Sequence, residues 1–482
     1  MYIGIDIGTS EVKALLLDDM HQVIGSAGCA LVVSRPHPGH SEQVPDDLWI
    51  ATRSALAQLR SAHPSAYAAT RGIGLSGQMH GAVLLDAQDR VLRPAILWND
   101  TRAATECVEM MAELPVLADL AGTLAMPGFT APKLRWIARH EPDIFRQVAK
   151  VLLPKDYVRL MLTGEYVSDM SDASGTLWLD VKKRAWSDPL LALTGLTQKH
   201  MPRLVEGSEA GGVLRADVAQ ALGLPPGIVV AGGAGDNAAS AVGMGAVGTG
   251  QGFLSLGTSG VLFVVTPSYQ PNAASATHAF CHALPGRWHQ MSVMLSAASA
   301  LQWVTDLLGA PSASEVAGKA ASLNFAQRAT APLFLPYLSG ERTPHNDAGV
   351  RGSFHGLSLD TDAALLGYSV MEGVSFGLLD GLAALQAAQC SVGRLSLVGG
   401  GARSAFWAQQ LASALNVDIV THGSSAVGGA LGAARLGWLA CGGTESQVCQ
   451  SPPVDAIYRP QAAERDLLAA RYQQFRSLYR PG

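Results

Sequence analysis

The sequence predicts an α/β protein with two duplicated domains around a central cleft, and three observations support this prediction. At 482 residues the chain exceeds one ordinary core, and about 100–250 residues per domain implies two large domains. Apolar residues make up 48% and charged residues 15%, which suits a large α/β enzyme and excludes a disordered chain. A strand–turn–strand unit around Gly8-Thr9-Ser10 returns in the second half as Gly257-Thr258-Ser259.

Charge and cysteine usage narrow the function classes. The formal net charge is -5 and the chain has no Lys/Arg run, so we expect neither a nucleic-acid partner nor an anionic membrane surface. The six cysteines are scattered without CxxC pairs, which is typical of a reducing compartment. The N-terminus begins directly with a strand pattern, and no 18-residue stretch is both apolar and free of turn signals. We therefore expect a cytoplasmic protein.

The first half, residues 1–247, begins with a predicted antiparallel meander of three strands, "YIGIDIG", "VKALLLD" and "QVIGSAGCALVV". A helix follows in "PDDLWIATRSALAQLRSA", where the acidic first turn favours the helix N-terminus. "RGIGLSG" is a strand that ends in the loop "QMHG", and "AVLLDA" and "AILWND" are expected to continue the same sheet. "APKLRWIARH" and "KDYVRLMLTG" are predicted helices, and "GIVVAGGAGDNAASAVGMGA" is a strand, a glycine turn and a helix.

The second half, residues 248–482, repeats this plan, and we place the boundary near 247–252. "GQGFLSLGTSGVLFVVTP" repeats the strand–GTS–strand unit, and "SVMLSAASALQWVTDLLG" is a predicted helix. "RLSLVGGGARSAFWAQQLASAL" repeats the strand, glycine turn and helix, and "AAERDLLAARYQQFRSLY" is an amphipathic helix.

The two GTS turns are candidate phosphate-binding sites. A glycine followed by small hydroxyl residues leaves backbone N–H groups pointing outward and adds an O–H donor, which suits an anion. A single turn of this kind is ordinary hairpin chemistry. Two such turns, one in each half, indicate that a polyphosphate is bound from both sides of a cleft.

Asp6 precedes the first turn between Ile5 and Ile7, where a carboxylate is costly to bury without a partner. A Mg²⁺ ion on nucleotide phosphates would supply that partner, since Mg²⁺ takes one or two carboxylates. A turn-bonding aspartate is the alternative. Lys13 lies close enough along the chain to reach a terminal phosphate, although a solvated strand lysine explains it nearly as well.

These features together resemble the superfold of actin, heat-shock chaperones and sugar kinases, in which two related domains bind ATP between two phosphate hairpins. The segment "GFTAPKLRWIARH" is similar throughout to the first signature of the FGGY carbohydrate kinases. Residues 352–373 fit the second signature in part, because Leu365 stands where a polar residue is expected. The blocks "SGQMHGAVLLD", "ILWNDTR", "LLPKDYVRLMLTGE", "SDMSDASGTLWLD", "GDNAASAVG", "FLPYLSGERTPH" and "GGGARSAFW" extend the resemblance to about residue 440.

The resemblance implies phosphorylation of a pentulose, D-xylulose in particular, with ATP and Mg²⁺, by a homodimer. Asp236 follows a glycine turn at a predicted helix start, where the helix dipole favours its ionised form, so it can accept the sugar proton. The family uses the matching aspartate as the catalytic base and the residue matching Asn237 as a sugar contact. Met79 and His80 are the other expected sugar contacts: the imidazole can donate to one hydroxyl and accept from another, and the thioether supplies an apolar wall.

Further residues carry two interpretations. The glycine turn of Gly400, Gly401 and Ala402 matches the family's adenosine site, although such turns occur in many α/β proteins. Trp98 and Asp100 are candidate pocket walls, but a structural pair of Asp100 with Arg102 explains them as well.

The segment "THAFCHALPGRWHQMS" contains four possible zinc ligands, His278, Cys281, His282 and His289. Strand alternation would direct them to opposite faces of a sheet, and the resemblance accounts for the segment as sheet of the second domain.

Two alternatives to the pentulose kinase remain: a kinase of the same family for another ketose or polyol, or a chaperone-like or filament-forming ATPase of the same superfold.

Overall fold

The structure is a computed structural model that describes residues 1–423 and 428–482. The strands of the first half are β1 Tyr2–Ile7, β2 Glu11–Leu17, β3 Val23–Ala30, β4 Glu42–Gln43, β5 Gly72–Gly77, β6 Val83–Leu85, β7 Ala95–Ile96, β8 Lys150–Leu152, β9 Val167–Asp169, β10 Leu179–Asp180, β11 Ala185–Trp186, β12 Arg203–Val205, β13 Ala210–Val213, β14 Val229–Ala231 and β15 Ala234–Gly235. Its helices are α1 Pro45–Ala62, α2 Pro64–Ala68, α3 Ala104–Glu113, α4 Leu117–Ala121, α5 Thr130–His140, α6 Pro142–Phe145, α7 Pro154–Thr163, α8 Met170–Ser174, α9 Asp188–Ala192, α10 Ala216–Leu222 and α11 Asp236–Gly243.

The second half follows the same plan with additional helices. Its strands are β16 Gln251–Leu256, β17 Gly260–Thr266, β18 His278–Cys281, β19 Trp288–Met294, β20 Leu333–Leu335, β21 Ser353–His355, β22 Arg394–Val398, β23 Asp418–His422 and β24 Val454–Tyr458. Its helices are α12 Ala298–Leu307, α13 Ala313–Ala321, α14 Phe325–Ala329, α15 Ala363–Ala387, α16 Ala405–Leu415, α17 Gly429–Ala440, α18 Glu445–Val448 and α19 Ala462–Leu478. Among the residues described, no helix is long and apolar enough to cross a bilayer.

The predicted duplication is confirmed by the order of the strands. In the first half β3-β2-β1-β5-β14 are neighbours, and in the second half β19-β17-β16-β22-β23 are neighbours in the same arrangement. In each of these series the first three strands pair antiparallel, and the last two join them in parallel. Each GTS turn therefore connects the first two strands of its sheet.

The prediction that "AVLLDA" and "AILWND" continue the main sheet is wrong. β6 pairs with β8, and β7 pairs with β4, in separate two-stranded sheets. The physical reason lies in β5, which already has β1 on one side and β14 and β15 on the other. The helix predicted in "SVMLSAASALQWVTDLLG" also starts later than expected, because its first residues complete β19.

Helix α17 joins the two halves, because it belongs to the second half in sequence but packs on β1 and β5 of the first. The contact is between backbones: a Cβ at Gly4 would lie 1.9 Å from the oxygen of Ala430, and a Cβ at Gly74 would lie 1.7 Å from the oxygen of Ala433. On its other side, a Cβ at Gly432 would lie 1.7 Å from the oxygen of Ala239 in α11. Glycine is therefore required at these crossings.

We expect Gly432→Ala to lower the free energy of unfolding by about 1–3 kcal/mol, because the methyl group forces α17 away from α11. Gly318→Ala in α13 is the matched control, since a Cβ at Gly318 meets nothing within 4 Å. The control should be neutral or stabilising by roughly 0.5–1 kcal/mol, as alanine is the better helix former. Urea denaturation of both variants measures the difference, and equal midpoints would contradict the close packing.

Candidate active site

The ends of three parallel strands form one edge of the first sheet. β1 and β15 flank β5, and Asp6 and Ala234 both pair with Ser76 in the strand register. The chain leaves this edge into the first GTS turn from β1, into the loop of Met79 and His80 from β5, and into α11 from β15. Residues distant in sequence thus meet at one place.

Asp236 is the first residue of α11, as the sequence predicts, with Gly235 as the N-cap. Its Oδ1 accepts hydrogen bonds from the backbone N (2.7 Å) and the Nδ2 (3.0 Å) of Asn237. Burial and the nearby negative charge of Asp6 raise the pKa of Asp236 to about 6. The expectation that the helix dipole favours the ionised form is therefore outweighed, because burial opposes the charge more strongly.

Asp6 is half-buried, and its Oδ1 accepts a hydrogen bond from the Ser76 hydroxyl at 2.8 Å. Burial raises the pKa of Asp6, against the opposing effects of Ser76 and the positive charge of Lys13. Lys13 pairs with Asp6 across β1 and β2. Within residues 1–423 and 428–482, no side-chain hydrogen bond or ion pair engages the Lys13 ammonium group.

A cavity of about 310 Å³ opens beside Asp236 and includes all four predicted sugar contacts. It is lined by Met79, His80, Trp98, Phe129, Asp236, Asn237, Ser255, Ser259, Val261, His278, Phe280, Met291, Val293 and Arg342. Both halves contribute to the wall, because the residues from 255 onward belong to the second half. The cavity combines aromatic walls with a few polar groups, which suits a small polar ligand.

His80 occupies this cavity as a neutral imidazole. Burial lowers its pKa to about 3, and its Nδ1 lies 2.7 Å from the carbonyl oxygen of Gly175. A carbonyl only accepts, so Nδ1 carries the proton and Nε2 is an acceptor. This corrects the expectation that His80 both donates to and accepts from a ligand: its donor is already used. Position 175 leaves no room for a side chain, since a Cβ there would lie 2.6 Å from the His80 imidazole.

Three residues that we did not predict as site residues, a lysine, a threonine and a phenylalanine, hold the loop of Met79 and His80. The Lys133 ammonium group donates to the carbonyl oxygens of His80 (2.9 Å) and Ile96 (3.1 Å), and the Thr130 hydroxyl donates to the former at 3.1 Å. The Phe129 ring lies 4.2 Å from the His80 ring, centroid to centroid. All three belong to the "GFTAPKLRWIARH" signature, which was the available signal.

Two other cavity residues were missed. His278 is buried, its Nδ1 lies 2.8 Å from the Thr123 hydroxyl, and burial lowers its pKa well below the ordinary value. Arg342 is the cationic side chain of the lining, and burial lowers its pKa. In the sequence, His278 lies in a strand pattern and Arg342 in a loop motif. Neither pattern indicates that the side chain lines a cavity.

The first GTS turn is held by two buried glutamines. Gln78 donates to the carbonyl oxygen of Gly8 at 3.3 Å, and Gln43 donates to that of Thr9 at 3.0 Å. The Thr9 hydroxyl donates to Gln78 at 2.9 Å and accepts from the indole of Trp98 at 3.0 Å. The Thr9 hydroxyl is thus engaged within the protein, contrary to the expectation of a free O–H donor. The exposed Ser10 hydroxyl remains the donor of this turn.

The second turn is held by the start of α12. The backbone N of Ala298 donates to the carbonyl oxygen of Gly257 at 2.8 Å. The carbonyl oxygen of Thr258 accepts from the backbone N of Ala297 at 3.0 Å and from the Ser299 hydroxyl at 2.7 Å. These bonds orient the turn.

The glycine turn after β22 lies beside the second GTS turn, because a Cβ at Gly399 would be 3.1 Å from the backbone N of Gly257. Gly400 and Gly401 line a second cavity, of about 680 Å³, between this turn and helices α12 and α13. Ala402 packs instead against the hydrophobic core of the second half.

The structure bears on two of the alternative interpretations: the role of Asp100 and the possible zinc site. Asp100 is buried and bonded to Arg102 (2.9 and 2.7 Å) and to the backbone N of Ser41 (2.6 Å), so it is a structural residue. Cys281 donates to the carbonyl oxygen of Val181 at 3.5 Å, and His278 contacts Thr123. In the described part of the chain, the four His and Cys residues do not form a group of metal-ligand distances.

Comparison with known proteins agrees with this arrangement. The profile of the N-terminal domain of the FGGY family of carbohydrate kinases matches residues 1–243, and that of the C-terminal domain matches residues 252–441. A xylulose kinase from Escherichia coli K12 is 50% identical, with 99% of this chain and 98% of the relative aligned. A xylulose kinase from Klebsiella pneumoniae is 48% identical over 99% of this chain and 100% of the relative.

A solved structure gives the same result for the fold. The crystal structure of a xyloylose kinase from Brucella ovis superposes with a TM-score of 0.96 at 53% identity, covering 99% of this chain and 98% of that one. Two family profiles match most of the chain, relatives about half identical align with 99% of it, and the duplicated fold carries a GTS turn in each half and a cavity lined from both halves. The chain belongs to the FGGY family of carbohydrate kinases.

Proposed function

We propose that this chain phosphorylates D-xylulose to D-xylulose 5-phosphate with ATP, as a step of pentose catabolism. The observation that carries the proposal is the cavity beside Asp236, in which Met79, His80 and Asn237 are also found. The relatives named xylulose kinase support the choice of sugar.

In this proposal Asp236 is the general base. Its Oδ1 is occupied by the two donors of Asn237, so Oδ2 receives the proton of the sugar hydroxyl. Nε2 of His80 accepts a hydrogen bond from a hydroxyl at the keto end, and Met79 supplies the apolar wall. The side-chain oxygen of Asn237 accepts from a further hydroxyl, while one hydrogen of its Nδ2 is donated to Asp236.

The nucleotide is proposed to lie along the larger cavity and the two turns. Gly8, Thr9 and Ser10 would contact the phosphates from one side, and Gly257 and Thr258 from the other. Gly400, Gly401 and Ala402 would form the adenosine part. The Lys13 ammonium group, which has no ion pair among the described residues, would neutralise a terminal phosphate.

The residues at the strand ends fit a Mg²⁺ ion. Asp6 offers an oxygen atom that accepts no hydrogen bond within residues 1–423 and 428–482, and its charge raises the pKa of Asp236, which a nearby cation would relieve. Asp6 would hold the ion, which would balance charge on the phosphates when bound.

Scattered cysteines support a cytoplasmic location, and membership of the family supports a homodimer.

Asp236→Asn should reduce kcat by about 10²–10⁴-fold while sugar binding persists, because the amide cannot accept the proton. For the wild type, log(kcat/KM) should fall as the pH drops through about 6, since Asp236 must be ionised to act as a base. Stopped-time ADP assays over pH 5–8 measure both effects. Asp217→Asn, in the first turn of α10 at the surface, is the matched control. Near-normal turnover in the Asp236 variant would remove the proposed base.

Asp6→Asn should raise the Mg²⁺ concentration needed for half-maximal rate and lower kcat, with little change in the KM for D-xylulose. The reason is that the amide keeps the Ser76 contact but loses the negative charge that a divalent ion requires. Initial rates over a Mg²⁺ series at saturating ATP test this. An unchanged Mg²⁺ dependence would exclude Asp6 from the metal shell.

A panel of D-xylulose, D-ribulose and glycerol should show the highest kcat/KM for D-xylulose. His80→Ala should narrow that preference and lower the rate, because an unpaired hydroxyl in a buried site costs about 1–3 kcal/mol. The exposed His37→Ala is the control. Glycerol or D-ribulose as the best substrate would favour another ketose or polyol kinase, and ATP hydrolysis independent of all sugars would favour a chaperone-like or filament-forming ATPase.

A further inference from the structure

The segment that leads into Asp236 is held from outside its own sheet. The guanidinium of Arg159 in α7 donates to the carbonyl oxygens of Ala231 and Gly232, the latter at 2.5 Å. Four residues along, the backbone N of Gly235 donates to the Ser171 hydroxyl of α8 at 3.1 Å. Both ends of the five-residue segment 231–235 therefore have a side chain attached to the backbone.

Backbone hydrogen bonds hold the middle of this segment, since the backbone N of Gly232 donates to the carbonyl oxygen of Glu209 at 2.7 Å and that of Gly233 to the carbonyl oxygen of Gly207 at 2.9 Å. The segment contains three glycines, of which Gly233 adopts φ +76°, and Ala234 and Gly235 pair with β5. Glycine backbones are free to take many conformations unless hydrogen bonds restrict them. At the end next to Asp236, the backbone N of Gly235 has the Ser171 hydroxyl as its partner, so the direction in which Asp236 points depends in part on this contact.

Ser171 is itself oriented by a buried ion cluster. Its hydroxyl donates to Oδ1 of Asp169 at 2.5 Å, which directs a lone pair of the serine oxygen toward Gly235. The other oxygen of Asp169 lies 2.8 Å from the ammonium group of Lys155, which also contacts Asp156 at 2.5 Å and Asp172 at 3.3 Å.

The cluster is fully buried and contains a second cationic side chain. Arg159 contributes a second positive charge, 3.7 Å from Asp156. Burial raises the pKa of Asp172 well above the ordinary value. Lys155 and Arg159 thus lie among three buried carboxyl groups. A buried set of this kind adds little stability compared with apolar packing, but it restricts its members to one arrangement.

We propose that Ser171, supported by Arg159 and the Lys155 cluster, is a positioning residue that holds the segment 231–235 so that Asp236 points at the sugar. The inference rests on the proposed role of Asp236 as the base. It predicts that loss of the Ser171 contact affects turnover more than sugar binding, because Met79 and His80 lie on another loop.

Ser171→Ala is the test, because Arg159→Ala would leave buried charges and carbonyl groups unpaired and prevent folding. We expect kcat to fall about 10- to 100-fold, as misplacement of a catalytic group by an ångström does. The Kd for D-xylulose without nucleotide, measured by calorimetry, should stay within about twofold of wild type. Ser171→Thr keeps the hydroxyl and should restore kcat to within about threefold.

Ser168→Ala is the matched control, since Ser168 is buried in β9, three residues before Ser171, and its hydroxyl has no hydrogen-bond partner among the described residues. Wild-type kcat in Ser171→Ala would overturn the proposal. So would equal losses of kcat and sugar affinity together with a lowered Tm, because these indicate a purely structural role.

The double variant Ser171→Ala with Asp236→Asn separates this inference from the proposed function. If Ser171 acts through Asp236, the kcat of the double variant should equal that of Asp236→Asn alone. A further loss of the same size as in the wild-type background would overturn the positioning role. Near-normal kcat in Asp236→Asn itself would instead overturn the base, whatever Ser171→Ala does.

Discussion

The parallel pairing of β1, β5 and β15 is the constraint on which the site depends. Because these strands run in the same direction and in register, the chain leaves the sheet three times at one edge. Main-chain hydrogen bonds, rather than the site side chains, therefore bring Asp6, His80 and Asp236 together. Helix α17 covers this sheet at backbone contact distance, which ties the second half of the chain to the same edge.

Local patterns in the sequence predicted much of the fold, since turn chemistry and periodicity are local properties. The meander, α1 and the repeated GTS unit lie where the patterns indicated, and Asp236 does begin a helix. The partners of β6 and β7 could not be predicted in this way, because pairing depends on which strand edges remain free in the assembled sheet. No local pattern shows that β5 is already occupied on both sides.

For the site, the sequence predicted that Met79, His80, Asp236 and Asn237 meet, but it missed His278 and Arg342 and did not give the chemical state of the predicted residues. The hydrogen bond that commits Nδ1 of His80 comes from Gly175, far along the chain. For Asp236, a pKa raised from 3.8 to about 6 corresponds to roughly 3 kcal/mol. A helix N-terminus supplies about 0.3–1 kcal/mol in the opposite direction, so burial and Asp6 decide the outcome. Neither burial nor the proximity of Asp6 can be read from the "GDNAAS" block.

The repulsion between Asp6 and Asp236 also couples the two parts of the proposed reaction. The charge of Asp6 contributes to the raised pKa of Asp236, so a cation that neutralises Asp6 lowers that pKa and increases the ionised fraction of the base. Linkage is reciprocal, and ionisation of Asp236 must therefore strengthen cation binding by the same factor. Both carboxylates lie at the end of one sheet in one half of the chain. A larger fraction of the base is thus ionised when the phosphate side of the site is neutralised, with no domain movement required for this coupling.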